Sequence, residues 1–352
     1  MNDLKVVLGL SGGIDSAAAA IMLKEKGMDV TALYFDVVKD ADSDAKERAF
    51  SLCKALNIPL EYVDLSERFE KIIIDPFCES YKLGCTPMPC IVCNPYVKWW
   101  ILKEYADKID AKWLATGHYA QIEEKDGYFY IKKSKYSLKD QSYMLAGLSQ
   151  DILSRAYFPL SCFESKEQVR AFVRYRGIDI PENLKESQDI CFVSGDYRDF
   201  LAQKGIDSRP GNFVNENGEI IGKHPGYTNF TIGQRKGLGM GFGKPMFVKE
   251  IHPESGDVVL CEDDALFTND ILVSLSNFAK YGEIQYVPKE YLNKDVYIKI
   301  RYGAKPALAR ISETNEEGIA KLHFVDAQRA PAFGQYAVFY DGDLVIGCGV
   351  IS

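Results

Sequence analysis

The chain opens on Val6, Val7, Leu8 and Leu10, a nearly unbroken apolar run of the kind found in strands buried on both faces of a parallel sheet. Ala17 to Leu23 follows as an alanine-rich buried helix, with Gly27 placed to stop it. Val30 to Phe35 reads as a second strand. Beyond it, Asp44 and Glu47 stand at capping-box spacing, and Ala45, Ala49, Leu52, Cys53 and Leu56 share one face of the helix they start. Leu60 to Val63 is a third strand, Tyr96 to Ile109 a helix, and Trp113 to Thr116 a fourth strand. Strand alternating with helix predicts an α/β, doubly wound parallel sheet with its ligands outside the carboxyl ends of the strands. The Ser11 loop, the Phe35 region and Thr116-Gly117-His118 all fall at such ends, so they are expected to share one site.

Past Gly205 the texture changes. Arg209-Pro210-Gly211, Asn217-Gly218 and Gly233 to Gly243 are rich in turn residues, and long helical patterns vanish. From Asn269 short strands dominate: Val296, Ile298 and Ile300 alternate with Tyr297, Lys299 and Arg301, and Asp341-Gly342 is a good hairpin turn. The predicted organisation is an α/β domain over 1–204, a small central α/β or β-rich module over 205–268, and a C-terminal β-barrel over 269–352.

Composition narrows the class. The 352 residues are 47% hydrophobic and 26% charged, which suits a folded chain of two or three domains. No apolar run approaches a membrane span, and the N-terminus has neither a basic region nor a signal-like apolar core, so a cytoplasmic protein without a membrane partner is expected. The net charge of −8 counts against coating nucleic acid without sequence preference, but allows local basic patches to grip one RNA. Nine cysteines, an odd number, point to thiol chemistry or metal rather than a disulfide scaffold.

Two segments carry the chemistry. Between the first strand and the first helix lies Ser11-Gly12-Gly13-Ile14-Asp15-Ser16, where glycines admit a close ligand and the free N–H groups of the helix start favour an anion. This resembles the SGGxDS pyrophosphate loop of the ATP-pyrophosphatase (PP-loop) enzymes, of adenine nucleotide alpha-hydrolase-like fold, which split ATP into AMP and pyrophosphate. No Gly-Lys-Ser/Thr follows, so it is not a Walker loop. The second segment is Pro87-Met88-Pro89-Cys90-Ile91-Val92-Cys93-Asn94-Pro95. Asn94 suits a helix N-cap and Pro95 the first helical position, which would put Cys93 just before a helix N-terminus, where the dipole favours a thiolate. Three readings of it stay open: a structural zinc site from Cys78, Cys85, Cys90 and Cys93, a redox Cys-x-x-Cys pair, or a partnership with the distant Cys191, which lies in a short apolar strand pattern.

Taken together, Gly9 to Ser16, the Pro-Cys-x-x-Cys-Asn run, Ala115-Thr116-Gly117-His118-Tyr119-Ala120, Lys139-Asp140-Gln141-Ser142-Tyr143, Ser187 to Phe192 and Phe230 to Gly239 resemble the tRNA-specific 2-thiouridylase family. The resemblance covers essentially the whole chain in order. It implies that ATP adenylates the C2 carbonyl oxygen of the wobble uridine in tRNAs for lysine, glutamate and glutamine, and that a cysteine persulfide then displaces AMP to leave 2-thiouridine. By the same resemblance Gly9, Leu10, Ser11, Gly12, Gly13, Ile14, Asp15 and Ser16 hold ATP, with Phe35 and Gly117 on the adenosine. Cys191 carries the persulfide, and Cys93 is the nucleophile or resolving thiol that closes a transient disulfide with it. Met88, Pro89 and Cys90 lie against the target base, while His118, Lys139, Asp140, Gln141, Arg301, Tyr302 and Gln335 touch tRNA.

The chemistry asks for such parts: an amide-like carbonyl resists sulfur until its oxygen becomes a leaving group, magnesium neutralises the polyphosphate, and the base must leave its stack. A cysteine desulfurase or sulfur-relay protein is the expected donor. Some members carry an aspartate where this chain has Cys90, so Cys90, Cys93 and Cys191 would also suit a four-iron four-sulfur cluster with one iron open to sulfide; the persulfide pair is the preferred reading. Two other classes remain as alternatives: another ATP-pyrophosphatase, of the lysidine synthetase or amide ligase type, and a metal-stapled RNA-binding protein with a degenerate nucleotide loop.

Softer features are ambiguous on sequence. Lys132, Lys133, Lys135 and Lys139 follow a strand-like Tyr128 to Ile131 and read equally as a phosphate-gripping stripe or a solvated hairpin face. Arg170, Arg174 and Arg176 lie around a helix end and suit its dipole. At least one of Trp99 and Trp100 is expected in the core.

Overall fold

The computed structural model describes residues 4–38, 43–178, 190–206 and 209–352. Five strands, β1 (Lys5–Gly9), β2 (Asp29–Asp36), β3 (Leu60–Asp64), β4 (Trp113–Ala115) and β7 (Ala156–Tyr157), pair in the order β3-β2-β1-β4-β7. Every pairing is parallel. The apolar run of β1 is explained by its place: Val6 and Leu8 join the core under helix α1 (Ile14–Glu25), while Val7 joins the core on the opposite face with Leu102 and Leu114. Ala17 to Ala20 are fully buried, so α1 lies close against the sheet. Helix α2 (Ser43–Leu56) buries Ala45, Ala49, Leu52 and Cys53 as its periodicity predicts.

From β1 the chain winds outward through β2 to β3, then returns to β4 on the other side of β1. The loops after β1 and β4 therefore diverge, and the crevice between them is the ligand position of an open α/β sheet. Leu10 to Gly13 and Thr116 to His118 form its walls.

One long helix feeds this crevice. Pro89–Cys93 is α-helical, Asn94–Lys98 is a π segment, and Trp99–Lys108 is α-helical again. Pro95 has no N–H to offer Ile91, and the helix widens there instead of stopping. The expected helix start near Asn94 is thus corrected: Met88 is the N-cap, Pro89 opens the helix, and Cys93 lies inside it. Asn94 does not cap; its buried amide donates to the carbonyls of Cys90 at 3.0 Å and Met144 at 2.9 Å, tying the helix to the loop that follows β6. Trp99 is fully buried, and Trp100 carries the Arg68 guanidinium over its ring.

The central module is a four-stranded sheet in the order β10-β11-β8-β9, from β8 (Gly211–Val214), β9 (Ile220–His224), β10 (Phe247–His252) and β11 (Asp257–Cys261). It packs a small core of its own around Phe213, Phe230, Val248 and Leu260. Next come β12 (Phe267–Phe278), β13 (Asp295–Lys299), β14 (Ala307–Thr314), β15 (Ile319–Arg329), β16 (Tyr336–Asp341) and β17 (Leu344–Ile351). They run β12-β15-β14-β13-β16-β17 and close through a β12–β17 pairing into a six-stranded barrel.

A hairpin from the α/β part, β5 (Gln121–Lys125) and β6 (Tyr128–Lys132), adds to the barrel sheet where Lys132 meets Leu344 of β17. The barrel is thereby held to the connection that follows β4. The lysines at and just beyond the end of β6 are partly spent on local pairs: Lys132 meets Glu123 at 2.6 Å and Lys133 meets Asp343 at 3.3 Å. Arg176 likewise pairs with Glu25 of α1.

Candidate active site

The loop after β1 is shaped by its own hydroxyls. Ser16 Oγ donates to the Gly13 carbonyl at 2.9 Å and accepts from the Ser11 backbone N–H at 3.2 Å, with Ser11 Oγ also 3.2 Å away. Gly13 is the N-cap of α1 and supplies no side-chain cap, so the first N–H groups of the helix remain available to a ligand. Two glycines permit this geometry. Gly12 has φ +71°, and a Cβ there would lie 2.1 Å from the Ala45 carbonyl oxygen. A Cβ on Gly117 would lie 2.9 Å from the Ser16 nitrogen, so the loop after β4 presses backbone to backbone on the start of α1. Together these make an anion-accepting cradle at the crevice.

Its charges come partly from residues that sequence reasoning missed. Asp15, in the first turn of α1, accepts from Lys166 Nζ through both carboxylate oxygens at 2.8 Å and from Tyr119 Oη at 2.5 Å. Arg48 of α2 donates to the Gly12 carbonyl at 3.1 Å. Lys166 opens the helix Lys166–Tyr175 and is buried, although a cation in a helix's first turn opposes the macrodipole. That misplaced charge is the sequence signal that could have singled it out. Phe35 lies half-buried near the carboxyl end of β2, Gly9 ends β1, and Leu10 follows it.

The second half of the site grows from His118. Its Nδ1 is 2.8 Å from Thr116 Oγ1, its ring lies stacked on Trp99, and burial together with the nearby Lys98 pushes it down to about 3, so it is neutral. Lys98 in turn lies within electrostatic reach of Cys93, Cys191 and Cys90. Burial pushes the Cys93 thiol up to about 12 against the pull of Lys98, and raises Cys90 for the same reason. The expectation that a helix N-terminus makes Cys93 a thiolate is therefore corrected, because the residue sits inside the helix and away from water.

Cys191 is exposed in a turn closed by Val193 N–H to Ile190 O at 3.0 Å, not in a strand; Phe192 anchors the turn against Phe69, Phe77 and Phe200. Ser187, Gln188 and Asp189 of that motif lie outside the described residues. All nine cysteines are free thiols. Among the described residues no three His, Cys, Asp or Glu side chains are grouped to hold a metal ion.

The barrel closes this half. Gln335 Nε2 donates to the carbonyls of Thr86 at 2.9 Å and Pro87 at 3.3 Å, fixing the strap that leads into Met88, Pro89 and Cys90. Met88, Pro89 and Tyr336 line an apolar cavity of ≈ 180 Å³ with Phe77, Val92 and Val350. Tyr302 packs edge-on to Tyr143 and lies within electrostatic reach of Cys90, Lys139 and Asp140. Asp140 and Gln141 spend their side-chain oxygens on the loop itself: Asp140 accepts from Ser134 N–H and Ser142 N–H, and Gln141 from Tyr119 N–H. Arg301 stands apart, between the barrel and the central module, donating to the Ala330 carbonyl near Gly233.

Residues 4–195 match the family described as tRNA methyl transferase HUP domain, 198–262 the tRNA methyl transferase PRC-barrel domain, and 280–351 the aminomethyltransferase beta-barrel domain. A protein of Clostridium perfringens named tRNA-specific 2-thiouridylase MnmA is 39% identical over 100% of this chain and 99% of its own length. The chain belongs to the tRNA-specific 2-thiouridylase family. Further relatives of that name come from Clostridium tetani, 39% identical over 99% of this chain and 96% of theirs, and from Bacteroides fragilis, 37% identical over 99% and 94%. A solved structure described as a predicted subunit of tRNA methyltransferase from Methanocaldococcus jannaschii covers 57% of this chain and 88% of its own at 19% identity, with a TM-score of 0.34. Within the family frame, the two halves of the site meet through a short path: Ser16 against Gly117, His118 beside it, then Lys98 and the cysteines. No helix among the described residues is long and apolar enough to cross a membrane.

Proposed function

We propose that this tRNA sulfurtransferase works in the cytoplasm on the wobble uridine of tRNAs for lysine, glutamate and glutamine, replacing the C2 oxygen by sulfur at the expense of ATP. The observation that carries the reading is a pair of unlike chemistries linked through the loop after β4: an anion-accepting glycine loop pressed against Gly117 and, by way of His118, Lys98 within electrostatic reach of Cys90, Cys93 and Cys191. ATP binding alone would need only the first, and thiol chemistry alone only the second.

The N–H groups from Gly12 to Ser16 would hold the phosphates, with magnesium neutralising their charge, while Phe35 and Gly117 would border the adenosine. The base, splayed from the anticodon loop, would lie along Met88, Pro89 and Cys90. Lys139, Asp140, Gln141, His118, Arg301, Tyr302 and Gln335 would shape or touch the RNA surface. Once the C2 oxygen is adenylated, the terminal sulfur of a Cys191 persulfide bonds to C2, and the C–O electron pair leaves on AMP. Cys93 sulfur then bonds to Cys191 Sγ, the Sγ–S bond breaks with its electron pair on the base-bound sulfur, and 2-thiouridine departs. A thiol reductant reopens the Cys93–Cys191 disulfide, and a cysteine desulfurase or relay protein reloads Cys191.

The test is nucleoside mass spectrometry of unmodified glutamate tRNA incubated anaerobically with the chain, magnesium-ATP and a sulfur donor proven on another thiolase. ATP-dependent 2-thiouridine supports the reading, and its absence refutes it. Cys191→Ala is expected to keep pyrophosphate release while forming no thiolated base.

A further inference from the structure

Tyr119 joins two parts of the molecule that bind different things. It is buried, and its ring lies edge-on to that of Tyr136, with centroids 5.4 Å apart. Its backbone is held twice by one residue: the N–H donates to Gln141 Oε1 at 2.8 Å, and the carbonyl accepts from the Gln141 N–H at 3.0 Å. At the far end of the ring its hydroxyl donates to Asp15 Oδ1 at 2.5 Å, among the N–H groups of the loop after β1.

Gln141 and Tyr136 belong to one closed loop. Asp140 accepts from the Ser134 N–H at 2.9 Å, and from the N–H and Oγ of Ser142 at 3.2 and 2.7 Å, drawing the two ends together. Within it the Lys139 N–H donates to the Tyr136 carbonyl at 3.1 Å. Ser142 Oγ lies 3.2 Å from Tyr340 Oη, which ties the loop's end to the barrel. The loop therefore grips Tyr119 at three points while its tip faces outward, with Leu138 87% exposed.

We propose that Tyr119 is a positioning residue that couples the two substrates: RNA seated on the 134–142 loop holds the Tyr119 hydroxyl on Asp15, and Asp15 so held favours nucleotide at the loop after β1. The inference rests on the reading of Lys139 to Gln141 as an RNA contact. Its physical cause is charge. A hydroxyl donating to Asp15 draws off part of the carboxylate's negative charge, and without that donor the charge is turned on the arriving phosphates. RNA on the closed loop favours the arrangement in which Gln141 grips Tyr119, so both ligands favour the same arrangement. Linkage then requires each to raise the other's affinity by one common factor. No covalent bond is made or broken, and the steps written above are unchanged.

The test measures binding of unmodified glutamate tRNA to the full chain by filter assay, at fixed free magnesium, with and without α,β-methylene-ATP, which cannot release pyrophosphate. Calorimetry fixes a saturating concentration of the analogue for each chain. The unaltered chain is expected to bind the tRNA at least about fivefold tighter with the analogue. Tyr119→Phe, which removes only the hydroxyl, is expected to keep an enhancement of no more than about twofold. A loss of RNA affinity alone weakens both measurements equally and leaves that ratio where it was, so a merely structural role would not move it. Gln141→Leu, which cuts the side-chain bond at the other end, takes the place of Tyr119→Phe should a thermal melt show the latter unfolded. A full enhancement in Tyr119→Phe, or none in the unaltered chain, overturns the inference and leaves the RNA-contact reading standing. A Tyr119→Phe chain that binds no analogue also overturns it, because the residue would then belong to the nucleotide site itself. No tRNA binding by the unaltered chain overturns both.

Discussion

Lys166 Nζ lies 2.8 Å from each carboxylate oxygen of Asp15, joining two residues 151 positions apart in the chain. Asp15 sits among the N–H groups that would receive phosphate, and alone it would repel that anion. With Lys166 neutralising it, the loop accepts one. Lys166→Met should therefore weaken ATP and pyrophosphate binding by about tenfold or more, while AMP binding changes little. Asp15→Asn in the same chain should restore part of the loss, because the uncompensated charge is gone. Calorimetric titration with the three ligands decides it, and no recovery in the double variant would separate Lys166 from Asp15.

Gly12 and Gly13 are adjacent but not equivalent. A Cβ on Gly12 collides with the Ala45 carbonyl at 2.1 Å and the backbone there has φ +71°, whereas a Cβ on Gly13 meets only Ser11 Oγ, at 3.5 Å. Gly12→Ala should cost about 3 kcal/mol or more and abolish nucleotide binding, since both sterics and φ oppose it. Gly13→Ala should cost about 1 kcal/mol as a weaker N-cap. Urea unfolding of the two variants tests the contrast.

Gln335 reaches from the barrel to the carbonyls of Thr86 and Pro87. Gln335→Ala should lower stability by only about 1 kcal/mol, the worth of such hydrogen bonds. Its larger effect should fall on thiolation, through the loosened Met88–Cys90 strap, with ATP binding unchanged. Equal 2-thiouridine yield in single-turnover reactions would show that the strap holds itself.

Burial raises the thiols of Cys93 and Cys348 from 9.0 to about 12. Unfolded thiols release their protons near pH 9 while these keep theirs, so stability is full below that pH. It should fall between about pH 9 and 12, by about 1.4 kcal/mol per pH unit for each thiol. Unfolding in urea at pH 8 and pH 10 measures the drop. In Cys348→Ala the drop should be smaller by about 1 kcal/mol, and an unchanged drop would exclude that thiol as a source.

Much of the site was legible in the chain itself. The apolar β1, the alanine-rich α1 and the glycine loop between them are local features, fixed by side chains a few residues apart. The barrel strands announced themselves by alternation, and the Asp341-Gly342 turn joins β16 to β17 as its residues require. Where two local signals conflicted, reading failed. Asn94-Pro95 carries the chemistry of a helix start, yet the chain stays helical because the Asn94 amide is satisfied by Cys90 and Met144 and the missing N–H of Pro95 is absorbed by a π segment. Cys191 looked like strand and is a turn, pinned by Phe192 among aromatics from other elements.

By itself, then, the sequence determined the strands and helices around the first sheet, the alternating barrel strands and where the glycine loop lies, because these follow from neighbours in the chain. The tertiary structure alone decided that Lys166 meets Asp15, that Lys98 comes within electrostatic reach of three thiols and that Gln335 holds the strap before Met88. Those pairings join parts of different elements or depend on a helix leaving its regular period. Their charges are set by burial and proximity, which no spacing along the chain encodes.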